Sequence, residues 1–139
     1  MSDKTFVDTN ILVYARDAGD PQKHQIAKSL MEDLWKSGLG RISTQVCGEY
    51  FVTVTGKLSR PMTSQAAWED IEDLAAWKPV AVDMGILRVA RHVQNRYGLG
   101  WWDSAVVAAA SHEGCSTILT EDLNAGQDYL GVKAVNPFA

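Results

Sequence analysis

Four acidic residues that lie far apart in this sequence are candidates for one shared site: Asp8, Glu49, Asp103 and Asp122. Carboxylates that are buried together repel one another, and some must be protonated unless a cation lies between them. A hard divalent cation with oxygen ligands resolves this conflict, and Mg²⁺ or Mn²⁺ suits a site with no His or Cys nearby. Such ions can activate a water molecule and neutralise the charge that develops on a phosphodiester.

Each of these acids also has an ordinary structural explanation. Asp8 can end a strand, Asp103 can stand in the first turn of a helix, and Asp122 can form a turn, because aspartate favours all three positions. Glu49 is less easily explained, because its position is not a cap and, on a helical wheel, it borders an apolar stripe. We therefore expect its carboxylate to be partly buried and to need a partner. The metal site therefore depends on whether the fold brings the four acids together.

Short β-like runs alternate with helix-like runs along the chain, which predicts an α/β fold. Strands are predicted over Lys4–Asp8, Arg41–Ser43, Pro79–Val82, Ser116–Leu119 and Val132–Val135. Helices are predicted from Asp20-Pro21 to Lys36, over Thr44–Lys57, from Thr63 or Ser64, from Asp83 to Tyr97, and from "GLGWWDS" to His112. The segment "TEDLNAGQD" is predicted to be a polar loop.

Mainly parallel strands would place all four acids at one edge of the sheet. Asp8 lies at the carboxyl end of one predicted strand and Asp122 just past the carboxyl end of another, where open parallel sheets bind their ligands. Glu49 lies near the start of a helix that follows a strand. Asp103 lies in the first turn of a helix that leads into a strand, and such a helix runs antiparallel to the sheet. We therefore expect the four carboxylates to converge.

At 139 residues the chain is predicted to form one domain, residues 1–139. Its 46% hydrophobic and 22% charged residues are typical of a soluble globular protein. No apolar run approaches the roughly 18 residues of a membrane span, and the charged Asp3-Lys4 start does not match a signal peptide. Cys47 and Cys115 fit no metal-binding spacing, so we expect free thiols in a reducing cytoplasm.

The net charge of −4 argues weakly against a protein that coats nucleic acid through bulk positive charge. Two bound divalent cations would offset this charge. The total charge therefore leaves phosphate binding open.

Four segments, in order, resemble the motifs of the PIN domain: "FVDTNILVY", "QVCGEYF", "WWDSAVVAAA" and "ILTEDLNAGQ". The likeness covers essentially the whole chain, and it is strongest to the VapC-type toxins of bacterial toxin–antitoxin pairs. The resemblance implies a three-layer α/β/α fold with a central, mainly parallel β-sheet. It also implies an Mg²⁺-dependent ribonuclease, with Mn²⁺ able to substitute, that hydrolyses a phosphodiester with metal-activated water. The implied partners are a cognate VapB-like antitoxin that masks the site and a second copy of the chain in a homodimer.

The resemblance assigns a role to each acid by its position in the motifs. Asp8 and Asp103 would be the main direct metal ligands, and Glu49 and Asp122 would complete the catalytic acidic pocket directly or through water. Glu121 competes with Asp122 for the fourth position, and the alignment of "TEDLNAG" favours Asp122.

Two polar residues fall on supporting positions of the same motifs. Asn10 and Thr120 would orient carboxylates or water. For Thr9 a helical or turn role and a role in the site are both open.

Other conspicuous side chains have structural explanations beside functional ones. Trp101 and Trp102 would stack on a base or receive an antitoxin side chain, but packing is expected for at least one of them. Three arginines of the predicted helix from Asp83 to Tyr97 would contact phosphates, although a solvated face is favoured; they are Arg88 and Arg91, at i and i+3, and Arg96. The three histidines, His24, His92 and His112, are expected to face solvent.

Three alternatives remain open from the sequence. The chain could be an inactive PIN-like module that binds RNA or protein, or a nuclease that acts on DNA. It could also be a phosphatase of the haloacid dehalogenase type with Asp8 as nucleophile. That class has a second acid two positions after the nucleophile, where this chain has Asn10, and no lysine stands at the required place before the later acid.

Overall fold

The computed structural model describes residues 3–139, which form five strands and six α-helices. The strands are β1 (Thr5–Val7), β2 (Gly40–Arg41), β3 (Thr117–Leu119), β4 (Asp128–Tyr129) and β5 (Val132–Val135). The helices are α1 (Thr9–Arg16), α2 (Pro21–Ser37), α3 (Thr44–Gly56), α4 (Ser64–Leu74), α5 (Met84–Tyr97) and α6 (Trp101–His112), and a 3₁₀ turn (Ala75–Trp77) follows α4. The predicted α/β class is confirmed.

The strands form one sheet in the order β2-β1-β3-β5-β4. The first four run parallel and β4 pairs with β5 in the antiparallel sense, so the prediction of a mainly parallel sheet is confirmed. β1 and β3 are neighbours in register, with Val7 opposite Leu119. Their carboxyl ends therefore lie side by side, and the backbone amide of Asp8 donates a hydrogen bond to the carbonyl of Leu119 at 3.1 Å.

Most predicted helix ends are confirmed because the capping side chains act as expected. Asp20 accepts a hydrogen bond from the amide of Lys23, and Pro21 begins α2. Gly38 ends α2 with φ of 72°, a left-handed conformation that glycine adopts without strain. Ser43 accepts a hydrogen bond from the amide of Val46 and begins α3. The ambiguous "YFVTVT" segment is therefore helical, as predicted.

Two predicted strands differ from the structure. The strand expected over Arg41–Ser43 is β2, at Gly40–Arg41, because Ser43 has become the N-cap of α3. The strand expected over Pro79–Val82 is wrong: only Val80 forms a bridge, in the parallel sense, with Ser43. Proline supplies no amide hydrogen to a ladder. The amide of Val82 donates to the side-chain hydroxyl of Thr44 at 3.2 Å and not to a strand carbonyl, so the pairing ends after Val80.

Two elements were missed by the sequence prediction. α1 begins directly after Asp8, whose side chain accepts a hydrogen bond from the amide of Thr9 and caps the helix. Asp8 therefore ends a strand and starts a helix at once. The two-residue β4 lies at the end of the segment predicted as a polar loop, and a pair this short carries no readable alternation.

The core packs β1 and β3 against the helices. Phe6, Val7 and Ile118 are completely buried, and α6 is buried on all sides from Ser104 to Ala110. A helix that is apolar nearly all round needs such burial. None of the helices between residues 3 and 139 is long and apolar enough to cross a membrane.

Candidate active site

Asp8 lies at the junction of β1 and α1 and is only 5% exposed. One carboxylate oxygen, Oδ1, accepts a hydrogen bond from the amide of Thr9 at 2.8 Å. The other, Oδ2, accepts from the hydroxyl of Thr120 at 2.8 Å and from the amide group of Asn10 at 3.4 Å. The orientation of the carboxylate is therefore fixed by the start of α1, which carries Thr9 and Asn10, and by Thr120, which follows β3.

Asn10 and Thr120 connect Asp8 to Asp122. The side-chain amide of Asn10 donates to Oδ2 of Asp122 at 3.0 Å, and its oxygen accepts from the backbone amide of Glu121 at 3.4 Å. The hydroxyl of Thr120 accepts from the backbone amide of Asp122 at 3.0 Å. These two residues thus tie the loop after β3 to the start of α1, and Asp122 itself is exposed.

Glu49 lies on the first half of α3 and is half-buried, as its position beside the apolar stripe predicted. Its Oε1 accepts hydrogen bonds from the hydroxyl of Thr9 at 3.1 Å and from the side-chain amide of Gln45 at 3.2 Å. Gln45 also donates to the carbonyl of Trp102 at 3.3 Å and so joins α3 to α6. The sequence analysis did not identify Gln45, although its place one helical turn before Glu49 is the signal that could have found it.

Asp103 lies in the first turn of α6 and is half-buried. Its carboxylate accepts no hydrogen bond from any residue that the structure describes. Burial raises its pKa, and the negative charges of Asp122 and Glu49 raise it further. Asp103 therefore has unused oxygen lone pairs beside other acids.

The same two acids act on Asp8. Burial raises the pKa of Asp8 to about 6 against the lowering effect of the hydrogen bonds from Thr120 and Thr9, and the charges of Asp122 and Glu49 add to the rise. Because Asp122 and Glu49 act on both Asp8 and Asp103, all four acids belong to one electrostatic neighbourhood. The expected convergence at one sheet edge is thus present.

Glu121, the competitor of Asp122, belongs to a different cluster. Its carboxylate accepts a hydrogen bond from the hydroxyl of Tyr14 at 2.8 Å and forms an ion pair with Lys23 at 2.9 Å. The ammonium group of Lys23 also lies 4.9 Å from the centre of the Tyr14 ring. The carboxylates of these two neighbouring acids therefore bond to different partners, and of the two only the Asp122 carboxylate bonds to Asn10.

The donor set suits a hard cation that keeps part of its water shell. Every candidate ligand is a carboxylate oxygen, which is the donor type that Mg²⁺ prefers. Within residues 3–139 no three His, Cys, Asp or Glu side chains lie close enough to enclose a metal ion by themselves. Mg²⁺ is commonly held by one or two carboxylates, with water and substrate phosphate as the other ligands. The described carboxylates thus form no closed protein cage, and a cation bound here would take water and substrate phosphate as its other ligands.

The remaining candidates separate clearly. Trp101 packs against the small cluster of Ile86 and Ala90, whereas Trp102 is 60% exposed, so packing holds for one of the two tryptophans. Exposed positions are occupied by Arg88, Arg91, Arg96, His92 and His112. The prediction that His24 faces solvent is wrong: its Nδ1 lies 2.7 Å from the carbonyl of Tyr14, because α1 packs on α2.

Comparison with known proteins places this arrangement in a family. The family model of the PIN domain matches residues 5–127, so the chain belongs to the PIN domain family. The crystal structure of VapC20 from Mycobacterium tuberculosis, described as a sarcin–ricin loop cleaving toxin, superposes with a TM-score of 0.64 at 19% identity. The superposition covers 86% of this chain and 90% of that one, and it shows a shared fold. No curated protein matches the sequence.

Proposed function

We propose that this chain is an Mg²⁺-dependent ribonuclease of the VapC toxin type, with Mn²⁺ able to substitute. Membership in the PIN family supports a nuclease activity in general, and nucleases of this family generally use divalent metal ions. The observation that carries the proposal is the convergence of Asp8, Glu49, Asp103 and Asp122 on one edge of the sheet. Asn10 and Thr120 join Asp8 to Asp122, and Gln45 joins Glu49 to the turn of α6 that carries Asp103. The phosphatase alternative lacks comparable support, because neither its second acid nor its lysine is present.

In this proposal Asp8 and Asp103 would be the main metal ligands, and Glu49 and Asp122 would complete the acidic pocket directly or through water. A divalent cation supplies a more acidic bound water and neutralises charge on the phosphodiester. Asn10 and Thr120 hold the carboxylates of Asp8 and Asp122 at a fixed separation. Thr9 and Gln45 both donate to Oε1 of Glu49, so Oε2 would be the oxygen with which Glu49 completes the acidic pocket. No Ser, Cys or His nucleophile is required.

The partners follow from the same class. An RNA strand is the substrate, a VapB-like antitoxin covers the acidic site in the inactive complex, and the toxin forms a homodimer within that complex. We place the protein in the cytoplasm and treat residues 1–139 as one PIN domain. The free thiols of Cys47 and Cys115 agree with a reducing compartment.

The test is cleavage of RNA by the purified protein after any bound partner has been removed. We expect cleavage with Mg²⁺ or Mn²⁺ and its complete loss with EDTA. A parallel digestion of single-stranded DNA of the same sequence separates a ribonuclease from a general nuclease. Sequencing of the RNA ends made during brief expression then identifies the target.

Three outcomes would contradict the proposal. Cleavage that EDTA leaves unchanged excludes the metal mechanism. Full activity of an Asp8→Ala variant excludes this site. Tight RNA binding without cleavage at any Mg²⁺ or Mn²⁺ concentration favours the alternative of an inactive RNA-binding module.

A further inference from the structure

A groove of about 780 Å³ opens directly beside the acidic site. Thr9 and Glu49 line one end, and α3, the residues around the start of α5, and Trp102 of α6 form its walls. This volume lies within the range of roughly 300–1,000 Å³ that is usual for pockets that bind small organic groups. The groove is therefore continuous with the candidate active site and large enough for a ligand of its own.

The groove has one charge of each sign, and the two lie far apart. Of the described residues that line it, Glu49 is the only acid and Lys57 the only base. They are separated by two turns of α3 and its end, about 12 Å along the helix axis. No ion pair joins these two side chains, so the groove has a negative end and a positive end. Lys57 is exposed and forms no ion pair with any residue between 3 and 139.

Apolar side chains lie exposed between these two charges. Trp102 is 60% exposed and Val52 is 56% exposed, although both line a concave surface. Thr44, Thr53 and Gln45 add hydroxyl and amide groups to the same lining. A flat aromatic surface with polar groups near it matches a nucleobase, which has apolar faces and polar edges.

The walls of the groove are held in place by hydrogen bonds. The hydroxyl of Thr44 accepts from the amide of Val82 at 3.2 Å, and the amide of Thr44 donates to the carbonyl of Val80 at 3.0 Å. Gln45 donates to the carbonyl of Trp102 at 3.3 Å and so fixes the third wall to α3. The groove is thus formed before any ligand binds, which reduces the entropy lost on binding.

We propose that this groove binds one nucleotide that flanks the scissile phosphate of a single-stranded RNA. Trp102 stacks on the base, and Lys57 pairs with a phosphate further along the strand. This inference rests on the proposed function, because the cleaved phosphodiester would lie at the acidic end of the groove. A nucleic acid is favoured over a protein segment because the unpaired charge at the far end is positive and the groove is continuous with the metal site. Stacking uses the face that every base has, so the subsite accepts different bases.

The first experiment measures the dissociation constant of a short oligouridylate in EDTA, so that no cleavage occurs. We expect Trp102→Ala to weaken binding about tenfold, as is usual for loss of a stacked base, and Trp102→Phe to restore most of it. We expect wild type to bind an abasic ribose-phosphate strand of equal length about as weakly as Trp102→Ala binds oligouridylate. We expect Trp102→Ala to bind the two strands with equal affinity. Trp68→Ala is the matched control, because Trp68 is 55% exposed and lies on α4 outside the groove.

The second experiment measures how binding depends on salt. Lys57→Gln should reduce the slope of log K against log salt by about 0.7, the value for one phosphate contact on a single strand. Lys28→Gln removes the same charge from an exposed position on α2 and should leave the slope unchanged.

The outcomes separate this inference from the proposed function. Equal affinity of wild type and Trp102→Ala for oligouridylate, with both proteins folded by circular dichroism, overturns the nucleotide subsite and leaves the groove to a protein partner. Trp102-dependent binding together with no RNA cleavage in Mg²⁺ supports the subsite and refutes the ribonuclease. Normal cleavage with an unchanged Michaelis constant in Trp102→Ala refutes the subsite alone.

Discussion

The candidate site has two halves that are held in different ways. The sheet half consists of Asp8, Asn10, Thr120 and Asp122, and the helix half consists of Glu49 and Asp103. In the sheet half, side chains that are 110 or more positions apart in sequence bond directly to one another. In the helix half, Glu49 is bonded only through one oxygen, and Asp103 accepts no hydrogen bond from any described residue.

This difference separates what folding fixes from what a ligand must supply. The sheet half is made by the pairing of β1 with β3. The Asp8 carboxylate in this half is buried among hydrogen-bond donors whose positions the fold fixes. Asp103 is held only by its helix, and its oxygens are free for an ion or for water. The protein therefore carries an electrostatic conflict in its sheet half that the cation of the proposed function would relieve.

The largest expected effect is loss of cleavage when either half loses its main ligand. Asp8→Asn and Asp103→Asn should each reduce RNA cleavage more than about 100-fold, because even residues that only support metal ligands account for 10- to 100-fold effects. Initial rates at saturating Mg²⁺ are the measurement. The two variants should be alike in activity although the two carboxylates differ in exposure.

Glu121→Gln provides the matched control for these carboxylate variants. It removes an acid next to Asp122 that bonds to Tyr14 and Lys23 instead of Asn10. Cleavage within a few-fold of wild type is expected. A loss as large as that of Asp8→Asn would move the fourth acid of the site to Glu121.

The second prediction distinguishes the halves by stability. Because burial raises the pKa of Asp8 from 3.8 to about 6, the charged form is unfavourable in the metal-free fold. The contribution of Asp8 to the free energy of unfolding is present in full below pH 3.8 and is lost as pH rises through about 6. Asp8→Asn should therefore stabilise the metal-free protein at pH 8 by up to roughly 3 kcal/mol, and this gain should disappear as pH falls from 6 to 4. Urea titrations in EDTA measure it.

Asp33→Asn is the control, because Asp33 is an exposed carboxylate on α2. Its stability difference from wild type should stay within about 0.5 kcal/mol at both pH values. A decrease in stability for Asp8→Asn at pH 8 would show that the three hydrogen bonds to Asp8 outweigh its burial. The sheet half would then not be an unfavourable arrangement that awaits a cation.

The sequence was sufficient for the elements but not for the cross-connections. Capping residues and apolar periods located α2, α3, α5 and α6, since those signals are local. The helix α1 escaped because Asp8 serves as strand end and N-cap together, and only the strand was read from it. A strand was predicted over Pro79–Val82 where the structure has a single bridge at Val80, because β-branched composition does not reveal whether a partner strand is available.

The site shows the same limit at the level of single side chains. A helical wheel predicted that Glu49 would be half-buried and need a partner, but it did not identify Thr9 and Gln45 as those partners. Neighbouring acids such as Glu121 and Asp122 have identical local signals. What separates them is the tertiary position of Asn10 and Lys23, which no local pattern contains.

The last and smallest expected effect compares the two hydroxyls that support the halves. The Thr120 hydroxyl is buried, donates to Asp8 at 2.8 Å and accepts from the amide of Asp122, whereas the Thr9 hydroxyl donates to the half-buried Glu49 at 3.1 Å. Thr120→Val keeps the shape and removes these two bonds together with the one that the hydroxyl accepts from the Asn10 side-chain amide at 3.4 Å. The Mg²⁺ concentration for half-maximal cleavage should therefore rise about 10- to 100-fold. Thr9→Val should raise it less than about tenfold, since Gln45 still donates to the same oxygen of Glu49.

Thr120→Ser should restore most of the Mg²⁺ affinity. Equal shifts for the two valine variants would mean that the helix half is held as firmly as the sheet half, and the distinction between them would have to be abandoned.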